Sequence, residues 1–124
     1  MILLDSSVLI DLFRKKDKSK SYFFELLSEE NGFAISTITH YEIGIGNKLS
    51  NSDFWNNLYN KLTILPFDQN CSVVAIDIYT FLKKQNKLID LADLLIGATA
   101  KYHNIPLATL NKKHFQRIDG LVLI

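Results

Sequence analysis

Three acidic residues and one asparagine recur at comparable places along this 124-residue chain. Asp5, Glu42, Asp93 and Asn111 each lie at the end of an expected strand or early in an expected helix. Because parallel βαβ packing gathers such positions at one edge of a sheet, we expect these side chains to share a cleft. Carboxylates in one cleft repel one another unless a divalent cation lies between them. An oxygen-only ligand set for Mg²⁺ or Mn²⁺ is typical of phosphoryl-transfer chemistry.

Each acid near the N-terminus also has a structural interpretation when it is considered alone. Asp5 or the adjacent Ser6 fits a helix N-cap. Thr39 and Glu42 fit a capping box, in which the glutamate only reaches back to the cap amide. His40 lies beside Glu42, but a lone histidine near a helix start is more often a packing residue than a base. Both interpretations stay open for these residues individually.

The same alternatives meet in the stretch 90–111. Asp90 fits an N-cap, and Asp93 fits the third helical position beside the positive end of the helix dipole. An apolar stripe at helical spacing is formed by Leu91, Leu94, Leu95, Ala98 and Tyr102. Gly97 on the other face is expected to let another backbone come close. Since the residue before Pro106 is pushed out of the helical region, the helix should end near Asn104.

Strand and helix signals alternate along almost the whole chain. Short apolar runs predict strands at 2–4, 33–36, 63–67, 107–110 and 121–124. Periodic patterns predict helices at 8–13, 21–30, 39–46, 51–62, 68–87 and 90–104, a left-handed cap at 31–32 and a helical turn at 112–115. The alternation predicts an α/β fold with a mostly parallel central sheet of four to five strands and helices on both faces.

Composition limits the classes of protein to which the chain can belong. At 124 residues, with 48% apolar and 22% charged residues, the chain is expected to be a single globular domain spanning 1–124. A formal net charge of +1 means that any basic surface must be local. The single cysteine, Cys71, excludes an intramolecular disulfide and argues against zinc. We expect a cytoplasmic protein, because no apolar run approaches the roughly 20 residues of a membrane span and the N-terminus leaves no room for a signal peptide.

Four segments, taken together, resemble the PIN domain. They are D-S-S-V-L-I at 5–10, S-T-I-T-H-Y-E-I-G-I-G at 36–46, D-L-L-I-G-A-T-A at 93–100 and L-A-T-L-N-K-K-H-F at 107–115. Their order and spacing look like those of the small VapC-type toxins of bacterial and archaeal toxin–antitoxin pairs, over essentially the whole chain. The resemblance implies a three-layer PIN-like fold and an endoribonuclease that uses Mg²⁺ or Mn²⁺ to activate water. It also implies structured or single-stranded RNA as substrate, with tRNA and rRNA foremost, a homodimer, and a cognate antitoxin whose tail blocks the acidic site.

Site residues carry over where this chain matches the family's motifs. Asp5, Glu42 and Asp93 match the family's acids and are the expected catalytic metal ligands. Asn111 falls where a fourth acid often stands, so it is expected to position a water or the metal through its carbonyl. Ser7 matches the small polar residue that supports the first acid. Asp90 has no firm counterpart and is interpreted as a cap or a supporting group.

Two clusters of basic residues lie outside these motifs. The first is the run from 14 to 20, and the second is the polar end of the predicted helix at 83–87. Charge runs are usually solvated turns, although a phosphate-contacting patch is the alternative. The candidate RNA contacts are Arg14, Lys15 and Lys16 of the first cluster, together with Lys112 and Lys113 of the segment 107–115.

Two other functions compete with the nuclease interpretation. A catalytically silent PIN-like binding module would be favoured by the loss of one of the acids, but all three are present. An Asp-based phosphatase or phosphoacceptor domain would carry Asp-x-Asp after the first strand, where this chain has Asp5-Ser6-Ser7. The nuclease interpretation is therefore the one that the residues favour.

Overall fold

The computed structural model describes residues 1–28, 32–46 and 51–124. Its strands are β1 (Ile2–Leu4), β2 (Phe33–Ser36), β3 (Thr63–Leu65) and β4 (Leu107–Ala108). Its helices are α1 (Ser6–Arg14), α2 (Tyr22–Leu26), α3 (Thr37–Gly46), α4 (Ser52–Tyr59), α5 (Gln69–Lys84), α6 (Leu91–His103) and α7 (Lys112–Phe115), with a short 3₁₀ turn at Lys18–Lys20. No helix within the described ranges is both long and apolar enough to cross a membrane.

The four strands form one parallel sheet in the order β3-β2-β1-β4. Leu3 of the central strand β1 pairs with Ala34 of β2 on one side and with Leu107 of β4 on the other. The chain runs from β1 to β2 and β3, and then crosses to the opposite side of β1 at β4. The point where the strand order reverses therefore lies between the carboxyl ends of β1 and β4, where open α/β sheets bind ligands.

Side chains of β1 enter two hydrophobic cores on opposite faces of the sheet. Leu3 packs in one core with Ile78 of α5 and Ile96 of α6. Ile2 and Leu4 pack in the other core, which includes helices α1 and α4. Burial on both faces explains why this strand is a continuous apolar run and not an alternating one. The predicted α/β fold, with a parallel sheet covered by helices on both faces, is confirmed.

Several predicted element boundaries need correction. The prediction of a full strand at 121–124 is wrong, since only an isolated parallel bridge joins Leu123 to Leu107. α5 begins at Gln69 because the Asp68 side chain caps the helix by accepting the N–H of Cys71 at 3.0 Å. The predicted helix residues 29–30 and the first residue of the cap at 31–32 lie outside the described residues.

The capping box of Thr39 and Glu42 is also wrong. α3 begins at Thr37, and the Thr39 N–H donates to Oγ of Ser36 at 3.1 Å. Ser36 thus receives the hydrogen bond that an N-cap residue receives, and Thr39 lies inside the first helical turn. Glu42 lies a further turn into α3, where its side chain has no part in the cap.

α6 is buried around most of its circumference and not along a single stripe. Every residue from Ile96 to Ala100 is buried, whereas Leu91 is 73% exposed and Tyr102 is 42% exposed. We expected another backbone to approach Gly97, but a side chain approaches it instead. A Cβ at Gly97 would lie 2.4 Å from Cδ1 of Ile118. The missing side chain thus makes room for the segment that follows α7.

Gly97→Ala should lower the free energy of unfolding by about 1–3 kcal/mol, the usual cost of overpacking a core. The loss should appear even though alanine is the better helix former by about 1 kcal/mol. Ile118→Val removes the obstructing Cδ1, so adding Gly97→Ala to that variant should cost less than adding it to the wild type. Urea unfolding of the wild type, the two single variants and the double variant measures this coupling. A Gly97→Ala protein more stable than the wild type would contradict the predicted overpacking.

Candidate active site

Asp5 is a buried carboxylate at the carboxyl end of the central strand. Asp5 is only 2% exposed. Its Oδ2 accepts hydrogen bonds from Oγ of Ser7 and from Oγ1 of Thr109, both at 2.8 Å. Oγ of Ser6 lies 3.5 Å from Oδ1. Asp5 occupies the N-cap position of α1 but makes no side-chain cap hydrogen bond. Its carboxylate is therefore held by hydroxyl groups and does not serve as a helix cap.

The same hydroxyls tie the start of α1 to the end of β4. Oγ of Ser7 accepts the Leu110 N–H at 3.1 Å, and Oγ1 of Thr109 accepts the Asn111 N–H at 2.9 Å. Each hydroxyl thus donates a hydrogen bond to Asp5 and accepts one from the backbone that follows β4, so it acts both as a donor and as an acceptor. Asn111 is consequently placed by the network that orients Asp5.

Asp93, Asn111 and His114 form a second polar group. Oδ2 of Asp93 lies 3.1 Å from Nδ1 of His114 and 3.4 Å from Nδ2 of Asn111, and these two nitrogens are 2.9 Å apart. A protonated Nδ1 donates to Asp93, whereas an unprotonated Nδ1 accepts from the Asn111 amide. The imidazole and the amide therefore hold the Asp93 carboxylate from the α7 side.

Electrostatics couple Glu42 to the other acids. Burial raises the pKa of Glu42 above its ordinary value, and the charge of Asp5 raises it further; a hydrogen bond with Ser6 opposes this, and Asp93 adds a smaller upward effect. Oε1 of Glu42 is buried and has no hydrogen-bond partner among the described residues. Burial likewise raises the pKa of Asp93, with His114 opposing and Asp5 contributing. Glu42 and Asp93 thus ionise less readily than isolated carboxyl groups do.

Asp90 occupies the N-cap position of α6, but its carboxylate makes no cap hydrogen bond. Its backbone carbonyl does accept the N–H of Leu94 at 3.0 Å. Within the described part of the chain, Asp90, Asp93 and His114 are the group of potential metal-ligand side chains whose ligand atoms all lie within 4.8 Å of one another. Asp90 is therefore the N-cap residue of α6 through its backbone alone, and its carboxylate lies beside Asp93 and His114, in a group that does not include Asp5 or Glu42.

The predicted basic contacts differ in their surroundings. Arg14 and Lys15 line a shallow groove with Ser7 and Leu110, although Lys15 also pairs with Asp11 at 3.5 Å. Arg14 additionally lines a cleft that contains Glu42. Lys16, Lys112 and Lys113 are exposed, the last two at the start of α7. Arg14 thus lines both the groove beside Ser7 and the cleft that contains Glu42.

Two other polar groups of the region are accounted for by packing. The ring of His40 contacts that of Tyr59 edge-to-face, with centroids 5.0 Å apart. Nζ of Lys18 donates to the backbone carbonyls of Phe13 and Lys15 at 2.8 and 2.7 Å. Lys18 therefore closes the turn after α1.

Thr109 and His114 were not among the residues singled out from the sequence. Thr109 lies between the buried end of β4 and Asn111, so a hydroxyl two residues before a predicted site residue was a usable signal. His114 lies three residues after Asn111, which is the spacing of neighbours on one helical face. The contact of His114 with Asp93 depends on how α7 packs against α6, which the local sequence does not show.

Comparison with known proteins identifies the family to which the fold belongs. The model of the PIN domain family matches residues 2–121. The chain therefore belongs to the PIN-domain family.

Its relatives place it among the VapC proteins of that family. Ribonuclease VapC1 of Methanocaldococcus jannaschii is 41% identical over 118 residues, which are 94% of this chain and 80% of that protein. Ribonuclease VapC2 of Rickettsia felis is 30% identical over 98% of this chain and 94% of its own length. The crystal structure of VapBC2 from Rickettsia felis, bound to a DNA fragment from the promoter, superposes with a TM-score of 0.88 at 30% identity, covering 100% of this chain and 98% of that one.

Removing the Thr109 hydroxyl should destabilise the protein. Thr109→Val keeps the shape of the side chain but leaves Oδ2 of Asp5 with one fewer donor and the Asn111 N–H without its acceptor. We expect a loss of about 1–3 kcal/mol in the free energy of unfolding, the cost of unsatisfied buried polar groups. Thr109→Ser, which retains the hydroxyl, should lose less in the same denaturant titration. A valine variant at least as stable as the serine variant would contradict this role.

Neutralising Glu42 should stabilise the metal-free protein at neutral pH. Its pKa is raised in the folded state, so its contribution to stability is complete below the unfolded pKa and is lost as the pH rises through the folded pKa. Glu42→Gln should therefore melt higher than the wild type near pH 7–8 in chelator, and the gain should shrink as the pH falls toward the ordinary pKa of a glutamate.

Glu25→Gln is the matched control, because it makes the same change on an exposed glutamate of α2. This variant should show no gain at any pH. Equal melting temperatures for Glu42→Gln and the wild type across the whole pH range would mean that the carboxylates of the cluster do not strain the fold.

Proposed function

We propose that this chain is a divalent-metal-dependent endoribonuclease and the toxin of a toxin–antitoxin pair. The observation that carries the proposal is the effect of the Asp5 charge on both Glu42 and Asp93, beside the point where the strand order reverses. The names of the relatives, ribonucleases VapC1 and VapC2, support the reaction class.

The donor set fits Mg²⁺ or Mn²⁺. Both ions prefer carboxylate oxygens, and the partnerless Oε1 of Glu42 is an acceptor that a cation would satisfy. We assign Asp5, Glu42 and Asp93 as the ligands, with Asp90 in a supporting role. When bound, such an ion supplies Lewis-acid polarisation of a phosphate and a water of lowered pKa.

The protein's own groups hold the ligands in place. Ser7 and Thr109 fix the Asp5 carboxylate, and His114 and Asn111 fix that of Asp93. Because Nδ2 of Asn111 is directed at Asp93, we assign its Oδ1 as an acceptor for the attacking water. Such fixed polar groups stabilise developing charge without having to reorganise during the reaction.

Cations on both sides of the acidic cluster are the proposed contacts to the RNA backbone. Arg14, Lys15 and Lys16 lie at the end of α1, and Lys112 and Lys113 lie in α7. Lysine and arginine contacts to phosphates supply affinity without sequence preference. Structured or single-stranded RNA is the expected substrate, with tRNA and rRNA as the first candidates.

The proposed contact surface for the antitoxin is an apolar groove formed in part by α2 and α4. This groove has a volume of about 480 Å³ and is lined in part by Phe23, Phe24, Leu27, Phe54 and Leu58. Phe24 is 50% exposed and Leu27 is 47% exposed, as expected for a surface that an amphipathic segment covers. The solved VapBC structures from Rickettsia felis and from nontypeable Haemophilus influenzae, the latter with a TM-score of 0.85 at 26% identity, support such a partner.

We further propose that the chain is one PIN domain over 1–124, acts in the cytoplasm and forms a homodimer. The exposed apolar side chains of Tyr41 and Ile45 in α3 and of Val73 and Ile76 in α5 are available to a dimer interface. A catalytically silent PIN-like module is the alternative function. The retention of all three acids in a coupled cluster counts against it.

The test of function is cleavage of single-stranded RNA with Mg²⁺ or Mn²⁺ and with chelator. Wild-type protein should cut only with the divalent ion. Asp93→Asn should lose about 100-fold or more in rate, because a bound ion is worth several kcal/mol to the reaction. It should also lose most of the rise in melting temperature that Mn²⁺ produces in the wild type.

His40→Ala is the control for this experiment, since the ring of His40 packs on Tyr59. This variant should keep both cleavage and the response to metal. Robust cleavage in excess chelator, by protein free of contaminating nuclease, would exclude the metal mechanism. Normal cleavage by Asp93→Asn would show that the site is wrongly assigned.

A further inference from the structure

A cleft outside the acidic cluster has the chemistry of a nucleotide subsite. It lies between the C-terminal half of α5 and the segment that begins in α7, and its volume is about 450 Å³. That volume falls within the roughly 300–1,000 Å³ of small-ligand pockets. We propose that this cleft holds one nucleotide of the RNA strand, next to the scissile phosphate. The inference rests on the ribonuclease function proposed above and adds to it a binding site outside the acidic cluster.

The charges of the cleft suit a phosphate. Its lining includes Lys87, Lys113 and Arg117, opposed by the single carboxylate of Asp119. These cations come from two separate segments of the chain, the end of the α5–α6 connection and α7 with its continuation. Convergence of like charges from separate segments is unfavourable unless an anion binds between them.

An aromatic ring and two amides accompany the cations. Phe81 of α5 lines the cleft and is 46% exposed, and Gln85 and Gln116 lie beside it. Base stacking on exposed aromatic rings, together with a basic track for the backbone, is the usual way in which proteins bind single-stranded nucleic acid. Glutamine side chains offer both donors and acceptors to the edge of a stacked base. The cleft thus provides a contact for each part of a nucleotide.

The walls of the cleft are fixed by hydrogen bonds to backbone carbonyls. Arg117 donates through Nη1 to the carbonyls of Leu88 at 3.1 Å and Lys87 at 3.5 Å. Nζ of Lys101 donates to the Asp119 carbonyl at 2.8 Å. A subsite held in this way loses less conformational freedom on binding than a set of mobile surface lysines.

Both walls of the cleft are connected along the chain to residues of the acidic group. Lys113 precedes His114 in α7, and His114 contacts Asp93. On the other wall, Lys87 belongs to the same connection as Asp90, whose carboxylate is in the acidic group. Both walls therefore continue directly into the proposed site of cleavage.

The test compares Phe81→Ala with Tyr102→Ala, which removes a similarly exposed aromatic ring that does not line the cleft. The probes are single-stranded oligoribonucleotides of two and eight nucleotides, with binding measured by fluorescence anisotropy in chelator and cleavage measured with Mg²⁺. Phe81→Ala should weaken binding of the longer strand roughly 5- to 150-fold, as expected for one lost base stack. Phe81→Tyr should restore the affinity, and Tyr102→Ala should match the wild type.

A second variant keeps the test independent of the packing of Phe81. Lys113→Gln, a change at an exposed position, should reduce the salt dependence of binding by about 0.7 of a unit per lost phosphate contact on a single strand. If wild-type protein binds and cuts the longer strand but Phe81→Ala and Lys113→Gln behave like Tyr102→Ala, the subsite is overturned and the nuclease function stands. If wild-type protein neither binds nor cuts RNA, the proposed function fails and the subsite fails with it.

Discussion

The buried charge of Asp5 is the constraint on which the rest of the site depends. A carboxylate placed at the end of a central strand is costly unless hydrogen bonds satisfy it. Ser7 and Thr109 meet this need from the two elements that adjoin β1, and their acceptor atoms in turn hold the backbone after β4. The position of Asn111 is thus a consequence of how Asp5 is solvated by the protein. The fold and the site share one hydrogen-bond network, so a change in either affects both.

The acidic cluster lowers the stability of the folded protein at neutral pH. The raised pKa values of Glu42 and Asp93 mean that the folded protein opposes their ionisation, chiefly through burial and with the charge of Asp5 adding to it. A protein selected for stability alone would replace one of these carboxylates with an amide or an apolar residue. His114 relieves part of this opposition at Asp93, whereas Oε1 of Glu42 has no such relief among the described residues. Apart from the hydrogen bond with Ser6, Glu42 is therefore the acid that the described residues satisfy least.

The position of Asp5 followed from the sequence because the end of a strand in a parallel sheet is predictable from a short apolar run. The same reasoning predicted the α/β fold and its parallel sheet. The choice between Ser36 and Thr39 as the cap of α3 did not follow, because both hydroxyls fit locally and the packing of β2 decides between them. The contact of His114 with Asp93 was equally hidden, since it joins α6 to α7, two helices that β4 separates along the chain. Local patterns thus located the edge of the sheet but not the side chains that complete it.

The near-zero net charge of the chain conceals a segregated surface. Fourteen basic and 13 acidic residues leave a formal charge of +1, yet Asp5, Glu42 and Asp93 are gathered at one edge. Arg14 lines the cleft that contains Glu42, and a separate cleft is lined by Lys87, Lys113 and Arg117. With a screening length of about 8 Å at physiological salt, such neighbouring patches act separately on a bound strand. A polyanion is thus attracted to the basic patches and repelled by the acids, except where a cation neutralises the carboxylates. The scissile phosphate of the proposed reaction is therefore drawn to the acids only when the metal is there to receive it.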